Sequence, residues 1–440
     1  MKKISVVGLG YIGLPTALIT AKYHDTKNKR NVAGFDVDED KIKKIMAGTC
    51  PIVEPGLQEL LTEVLAQGNF RASRELAPAD CFVIAVPTPF KENKQADLSY
   101  VWTAGRSIAK KITYQNLVIL ESTVPAGTTQ TLKTLLEQES GLIAGKDFYI
   151  AYCPERVLPG KIILELVQND RIIGGICDRS AELAQDFYKQ FVQGTCYATG
   201  DKIAEMVKLV ENSSRDIQIA LANQIAGMCN QVSINPFEVI ELANKHPRVN
   251  ILQPGCGVGG HCIAVDPWFL IEQFPQNTQL LQAARSINDT KPDLVVQQVL
   301  EQAILFHKKH THKPNVLVLG LTFKPDIDDL RESPALKIAK DLRDKDNMLN
   351  LCLYEPHIPA EKLGSLSRIE PDMIKALDQA DIIVSLVKHS CFKTIDQKNI
   401  VDKIVVDPCG LFSKKIGPNY EATFLGKRES KTTSSSNPSG

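Results

Sequence analysis

Lys3-Ile4-Ser5-Val6-Val7-Gly8-Leu9-Gly10-Tyr11-Ile12-Gly13-Leu14-Pro15-Thr16-Ala17-Leu18 is the stretch that decides the fold. Residues 3–8 read as a short buried parallel strand, because their apolar character runs on without the alternation of a half-exposed strand. Three glycines follow at once, and an apolar run from Leu14 to Ala21 then suits a helix. GxGxxG therefore stands in the strand–turn–helix setting that a dinucleotide site needs. Gly8 permits the tight turn, Gly10 lets a pyrophosphate reach the backbone, and Gly13 lets helix and strand pack closely, with Tyr11 and Ile12 completing the turn. The helix N-terminus offers unpaired N–H groups and a partial positive charge to the diphosphate. The next strand, residues 31–36, closes on Asp36, placed to accept hydrogen bonds from an adenosine ribose. A carboxylate there repels a 2′-phosphate and no Arg follows it, so the reading is NAD rather than NADP.

Further buried strands are predicted at 81–86 and 117–121, closed by Pro87-Thr88-Pro89 and by Ser122-Thr123-Val124-Pro125. Ligands of open α/β sheets lie at the carboxyl ends of strands, so Thr88 and Thr123 are candidates to touch nicotinamide or ribose. Ser122 is read as a helix N-cap. A strand at 148–153 runs into Pro154-Glu155-Arg156-Val157, where Glu155 either activates a water or is an ordinary surface acid.

From 201 to 232 the spacing predicts one long helix, with apolar positions at Ile203, Met206, Val207, Val210, Ile217, Ala220 and Leu221. Lys208, Asn212 and Arg215 share a face of it. A Lys beside an Asn can bind an oxyanion, whereas a lone Lys is more often part of a solvated, salt-bridged face.

Gly255-Cys256-Gly257-Val258-Gly259-Gly260-His261-Cys262 carries too much glycine for a stable helix or central strand. It reads as a loop whose backbone approaches something bulky and which delivers Cys262, with Asp266 four residues later. One turn of helix would put thiol and carboxylate on the same side. That pairing points to covalent chemistry with a proton acceptor at hand, although a lone Cys is more often a buried structural one.

Beyond the loop a helical region to about residue 304 and a polar linker at 308–314 lead into a second α/β unit. Its strands are predicted at 316–320, 349–354, 381–387 and 404–407. This half lacks GxGxxG but keeps the strand–helix alternation of a nucleotide-binding sheet. Lys324 and Arg331 suit phosphate or uridine recognition. The polar tail from Gly426 is expected to be disordered.

Bulk properties narrow the class. The 440 residues allow two or three domains, and 51 basic against 51 acidic side chains argue against nucleic acid or an anionic membrane as partner. No stretch has the apolar length of a bilayer span, and the glycine-broken N-terminus is a poor signal peptide, so a cytosolic protein with reduced cysteines is expected. Its 11 cysteines form no CxxC pair and no metal spacing with the eight histidines, and no metal is expected. His307, His310 and His312 read as a solvated helix end.

With these pieces placed, the chain resembles the UDP-glucose/GDP-mannose dehydrogenase family from residue 1 to about 425. GxGxxG, VPTP, YCPERVLPG, the Lys208/Asn212 helix, GVGGHCIAVDP and GLTFKPDIDDLRESPA stand in family order. HPRVNILQPG, GVGGHCIAVDPWF and IDDLRESPA most resemble the branch acting on UDP-N-acetylmannosamine, which makes a uronic acid for bacterial surface polysaccharides such as enterobacterial common antigen. The resemblance implies an α/β fold of two Rossmann-like doubly wound parallel sheets joined by a long central helix and a helical middle domain. The expected domains are 1–200 for NAD, 201–308 for dimerisation and the Cys loop, and 315–425 for the UDP-sugar, with 426–440 as tail.

It also implies a four-electron oxidation of the sugar C6 alcohol to a carboxylate with NAD, Cys262 capturing the intermediate aldehyde. Lys208 would move protons and stabilise charge at the C6 oxygen, Asn212 would support it, and Asp266 would be a base or orient water. Glu155 and Thr123 match positions near the hydrolytic water. Arg156, Val157, Arg215, His246, Arg248 and Gly259 match positions lining the UDP-sugar. Lys324 and Asp326 match nucleotide-binding positions, and Arg331 one near NAD. A homodimer built on the long helix is implied, with Arg248 reaching the partner's substrate. One departure is Pro159, where the UDP-glucose branch carries a second Glu. Competing readings are a UDP-N-acetylglucosamine or UDP-glucose 6-dehydrogenase, and a non-catalytic NAD-binding regulator.

Overall fold

The structure is a computed structural model that describes residues 1–23, 31–91, 94–345, 347–364, 366 and 368–413; the tail from Gly426 lies outside them. In chain order the elements are β1 (Lys3–Val7), α1 (Gly13–Lys22), β2 (Asn31–Phe35), α2 (Glu39–Met46), α3 (Leu57–Gln67), β3 (Phe70–Ser73), β4 (Cys81–Ile84), α4 (Ser99–Ala109), β5 (Leu117–Leu120) and α5 (Thr128–Ser140). Then come β6 (Tyr149–Tyr152), α6 (Ile162–Gln168), β7 (Arg171–Gly175), α7 (Asp178–Tyr188), β8 (Cys196–Gly200), α8 (Asp201–Gln231), α9 (Pro236–Ala243), α10 (Asp266–Gln273) and α11 (Gln279–His310). The last are β9 (Asn315–Leu319), α12 (Pro334–Arg343), β10 (Asn350–Tyr354), α13 (Ala360–Leu363), β11 (Arg368–Ile369), α14 (Met373–Gln379), β12 (Ile382–Ser385) and β13 (Ile404–Val406).

The chain divides into two compact units, one of residues 1–213 with 265–278, the other of 214–264 with 279–440. The segment 201–308 thus contributes to both. The α/β expectation holds in each.

The first unit is built on an eight-stranded sheet of order β3-β2-β1-β4-β5-β6-β7-β8, parallel throughout except where β6 meets β7. Its central strands are apolar on both faces, and helices cover each face with a separate core, one around Leu14, Leu18 and Phe187, the other around Phe82, Ile108 and Leu132. Burial on both faces is why these strands read as unbroken apolar runs. The strand order reverses between β1 and β4, which places a crevice at their carboxyl ends.

The second unit carries a five-stranded, fully parallel sheet of order β11-β10-β9-β12-β13, reversing between β9 and β12. Its turn after β9 repeats that after β1. Gly8 N donates to Phe35 O and Leu9 N to Asp36, while Gly320 N donates to Tyr354 O and Leu321 N to Glu355. The copies diverge at once: α1 starts five residues after Gly8, but α12 starts at Pro334, so no helix N-terminus stands over the second turn.

Two details differ from expectation. The helical region after the glycine loop is broken around Pro275 into α10 and α11, and α11 runs past 304 to His310, where Phe306 stacks on the His310 ring. On α8, Ile203, Val210 and Leu221 are exposed in the single chain, whereas Glu205, Lys208 and Asp216 are buried. The inward side thus mixes these charged groups with Ala204, Leu209, Ala222 and Ala226.

Candidate active site

The cofactor end of the first unit is built by its glycines. Gly8 has φ +93°, and a Cβ there would stand 2.6 Å from the Ala85 carbonyl oxygen. A Cβ on Gly13 would fall 1.8 Å from the Gly8 oxygen, so helix and turn can close only over hydrogen. Gly10 differs: a Cβ there meets nothing within 4 Å, leaving bare backbone at the helix mouth for a phosphate group. Asp36 is preset. Its Oδ2 accepts from Leu9 N (2.9 Å) and Lys41 Nζ (2.7 Å), and its Oδ1 from Asp38 N (3.0 Å). Burial favours its protonation, but these bonds outweigh that and hold the carboxyl below its ordinary value. Lys41 carries no motif signal. Tyr11 and Ile12 are half-buried in the turn, and Thr88 and Thr123 are half-buried just beyond β4 and β5. Ser122 is no helix cap: its hydroxyl donates to Val86 O (2.7 Å) and ties the ends of β4 and β5 together, while Gly127 caps α5.

Glu155 is not a surface acid. It is buried, its Oε2 accepting from Arg171 Nη1 (2.7 Å) and its Oε1 from Arg156 N (2.6 Å). Burial opposes the charge on Arg171, but Glu155 more than restores it. Behind the pair lies Glu121, which accepts from the Tyr188 hydroxyl (2.6 Å) and whose carboxyl burial pushes up. No motif or helical spacing marked Arg171, which reaches Glu155 from the next strand, β7, 16 residues on. Arg156 turns to Glu211 (2.7 Å) on α8 and to Asp170 O, and Val157 packs on the core of α1.

α8 and α10 bring together three of the expected residues. Lys208 is 7% and Asp266 2% exposed. Asn212 Nδ2 donates to Asp266 Oδ2 (2.5 Å), so Asn212 supports the carboxylate rather than Lys208. Burial pushes the Asp266 carboxyl up to about 6, with Lys208 and the Asn212 bond pulling the other way. One turn before Lys208, the buried Glu205 accepts from Gly127 N (2.5 Å), Thr129 N (2.7 Å) and the Thr129 hydroxyl (2.7 Å). It caps α5 from another helix and fixes α8 against the loop that carries Thr123. A carboxylate at a helix N-terminus is favourable, yet nothing in the spacing marks Glu205 for the task.

In the second unit the loop at 255–262 is a close approach, as its glycines predicted. A Cβ on Gly259 would lie 2.6 Å from Glu332 O and 2.7 Å from Phe323 Cβ. Cys262 is exposed, and none of the 11 cysteines is in a disulfide. The expected helical turn from Cys262 to Asp266 does not form: residues 263–265 make turns, and α10 starts only at Asp266. Arg215, His246 and Arg248 are exposed, and Lys324 is half-buried. Arg331 is engaged by Asp329, its Nε and Nη2 donating to the carboxylate.

Asp326 accepts from Ser390 N (2.7 Å) and Oγ (2.6 Å), and its own N–H donates to His389 Nδ1 (2.9 Å). Asp326, His357 and His389 hold potential metal-ligand atoms within 4.8 Å of one another, a grouping the sequence spacing did not reveal. Both ring nitrogens of His389 are already engaged, Nδ1 as acceptor and Nε2 facing Glu355 at 3.3 Å, which makes the cluster a brace for the turn after β9.

Residues 2–192 match the NAD binding domain of the UDP-glucose/GDP-mannose dehydrogenase family, 202–290 its central domain and 317–414 its UDP binding domain. The chain belongs to the UDP-glucose/GDP-mannose dehydrogenase family. NAD is its cofactor, and the bare backbone at Gly10 and the preset Asp36 fit that dinucleotide. Among relatives of this dehydrogenase, a UDP-N-acetyl-D-mannosamine dehydrogenase of Campylobacter jejuni is 47% identical, covering 91% of the chain and 98% of the relative. An NDP-N-acetyl-D-galactosaminuronic acid dehydrogenase of Ralstonia nicotianae is 44% identical over 94% of the chain and 97% of its own. A solved UDP-D-ManNAc dehydrogenase of Pyrococcus horikoshii superposes with TM-score 0.84 at 40% identity, covering 93% of the chain and 96% of its own. No helix among the described residues is long and apolar enough to cross a membrane.

Proposed function

We propose that this dehydrogenase oxidises C6 of UDP-N-acetyl-D-mannosamine to the uronate, in the cytoplasm, for surface-polysaccharide synthesis. The observation that carries the chemistry is the buried Lys208–Asn212–Asp266 group, two proton-handling side chains on adjoining helices with the carboxyl poised near neutrality. The Campylobacter and Pyrococcus relatives support the choice of sugar.

NAD supplies the hydride acceptor in each of two oxidations. Lys208 or Asp266 takes the C6 hydroxyl proton in the first. The Cys262 thiolate then adds to the aldehyde carbon, forming a C–S bond, and the new oxyanion takes up a proton to give a thiohemiacetal. Loss of a second hydride and the hydroxyl proton leaves a thioester. Water adds to the thioester carbonyl, a base takes its proton, and the C–S bond breaks to release carboxylate and thiolate. The Arg171 pair leaves Glu155 to position the Arg156 backbone, so Asp266 is the better candidate for the hydrolytic base. Thr123, on the loop fixed by Glu205, adjoins the same site in this reading. The exposed Ile203, Val210 and Leu221 on α8 support a homodimer, with the exposed Arg248 offered to the partner's substrate. Arg156, Val157, Arg215, His246, Gly259, Lys324 and Asp326 are assigned to the UDP-sugar, and Arg331 to the NAD side.

A second reading, an N-acetylgalactosamine-type sugar, rests on the Ralstonia relative. The deciding experiment offers purified protein UDP-N-acetylmannosamine, UDP-N-acetylglucosamine, UDP-N-acetylgalactosamine and UDP-glucose, and counts NADH per sugar. Two NADH per UDP-N-acetylmannosamine, with kcat/KM well above the rest, is expected, and preference for another sugar overturns the assignment. Cys262→Ala should bind NAD yet make no uronate; full turnover in that variant removes the covalent route.

A further inference from the structure

Lys291 on α11 is only 9% exposed, yet no carboxylate or other acceptor among the described residues hydrogen-bonds or ion-pairs with it. Its Nζ is not among the fully enclosed polar atoms left without a partner, so the stem is buried while the ammonium keeps an opening. A buried cation without a counter-charge is unfavourable, and a methionine of similar volume would fill the same space without that penalty. Burial accordingly pulls the ammonium below its ordinary value, opposed only by Cys256.

The surroundings locate the opening. Cys256 Sγ donates to Leu386 O (3.5 Å), the residue after β12, and Pro292, next to Lys291, lies 3.3 Å from where a Gly257 Cβ would be. The following glycines rest on Phe323 and Glu332 in the segment after β9. Lys291 therefore belongs to the neighbourhood where the glycine loop covers the carboxyl ends of β9 and β12. That is where the strand order reverses, and such points take the ligands of open α/β sheets.

We propose that Lys291 is a ligand of the nucleotide diphosphate in the second unit, its ammonium donating to a phosphate oxygen. The inference rests on the UDP-sugar reading above and adds a residue to it. An anion suits the site better than a sugar hydroxyl or uracil carbonyl, because a negative charge offsets the largely buried positive one most strongly.

The test uses the full chain with UDP, uridine and NAD as separate calorimetric titrants, comparing wild type with Lys291→Met and Lys291→Gln. Loss of one charge-assisted bond should weaken UDP by about tenfold to a hundredfold, with uridine and NAD within about twofold of wild type. Ligand-free Lys291→Met should melt no lower than wild type, and UDP should raise its Tm less. UDP affinity within about twofold of wild type, or an equal loss for uridine, overturns the role of Lys291 and leaves the UDP-sugar reading intact. Failure of wild type itself to bind UDP overturns both.

Discussion

Asn212 on α8 donates its amide N–H to the carboxylate of Asp266 at the start of α10, 2.5 Å away, joining side chains 54 residues apart. The bond is made to a carboxyl that burial pushes from 3.8 to about 6. A base must be ionised to work, so kcat should fall as pH drops through about 6. Asn212→Ala removes one of the two influences that keep Asp266 ionised, and the acid limb of its pH–kcat profile should move to higher pH. A limb that stays in place would show that another group sets it.

The same carboxyl costs stability. A raised folded-state pKa means that protonation favours the fold, so stability is lost as pH rises from 3.8 to about 6. At pH 7.5, Asp266→Asn should stabilise the protein by up to about 3 kcal/mol while lowering kcat by about a hundredfold or more. Thermal melts and steady-state rates on one preparation check the opposed signs; a lower Tm for the variant would refute them.

Arg171 and Glu155 form an ion pair with side chains 3% and 7% exposed. Arg171→Met strands a buried carboxylate and should cost about 3–5 kcal/mol, whereas adding Glu155→Met should recover much of it. Denaturant unfolding of the two single variants and the double variant measures this. Additive losses would mean that the pair does not couple.

Gly10 and Gly13 should part company under the same substitution. Gly10→Ala meets empty space and should fold normally, with the KM for NAD raised about tenfold by the methyl at the phosphate mouth. Gly13→Ala collides with the Gly8 oxygen and should lower soluble yield and Tm. Equal NAD affinity in Gly10→Ala and wild type would remove the phosphate from that backbone.

The outward apolar side chains of α8 give a test of assembly. Val210→Glu with Leu221→Glu places charge at two positions 50% and 46% exposed in the single chain. If these sit in a dimer interface, sedimentation should report a shift to monomer, and an unchanged mass would place the interface elsewhere.

How much of this could be read from the sequence divides by distance along the chain. The Gly8–Asp36 site was legible because turn, helix mouth and acid lie within one strand–helix–strand unit, each with a steric or electrostatic signature. The glycine loop was legible as a close approach but not in what it approaches, since Phe323 and Glu332 come from a distant segment. Spacing found the long helix α8, yet it could not tell that Ile203, Val210 and Leu221 face out while Glu205 and Asp216 face in. The partners of those charges, Thr129 and Arg285, sit on other helices. The burial of Glu155 was not legible either, because its partner Arg171 on the neighbouring strand β7 carries no motif signal.

The paired turns after β1 and β9 use one device with two endings. Asp36 keeps 7% of its side chain exposed beside the partly exposed Lys41, whereas Glu355 and His389 are sealed together at 0%. The second turn has kept the hinge and lost the socket: an adenosine diol finds no carboxylate oxygen to grip there.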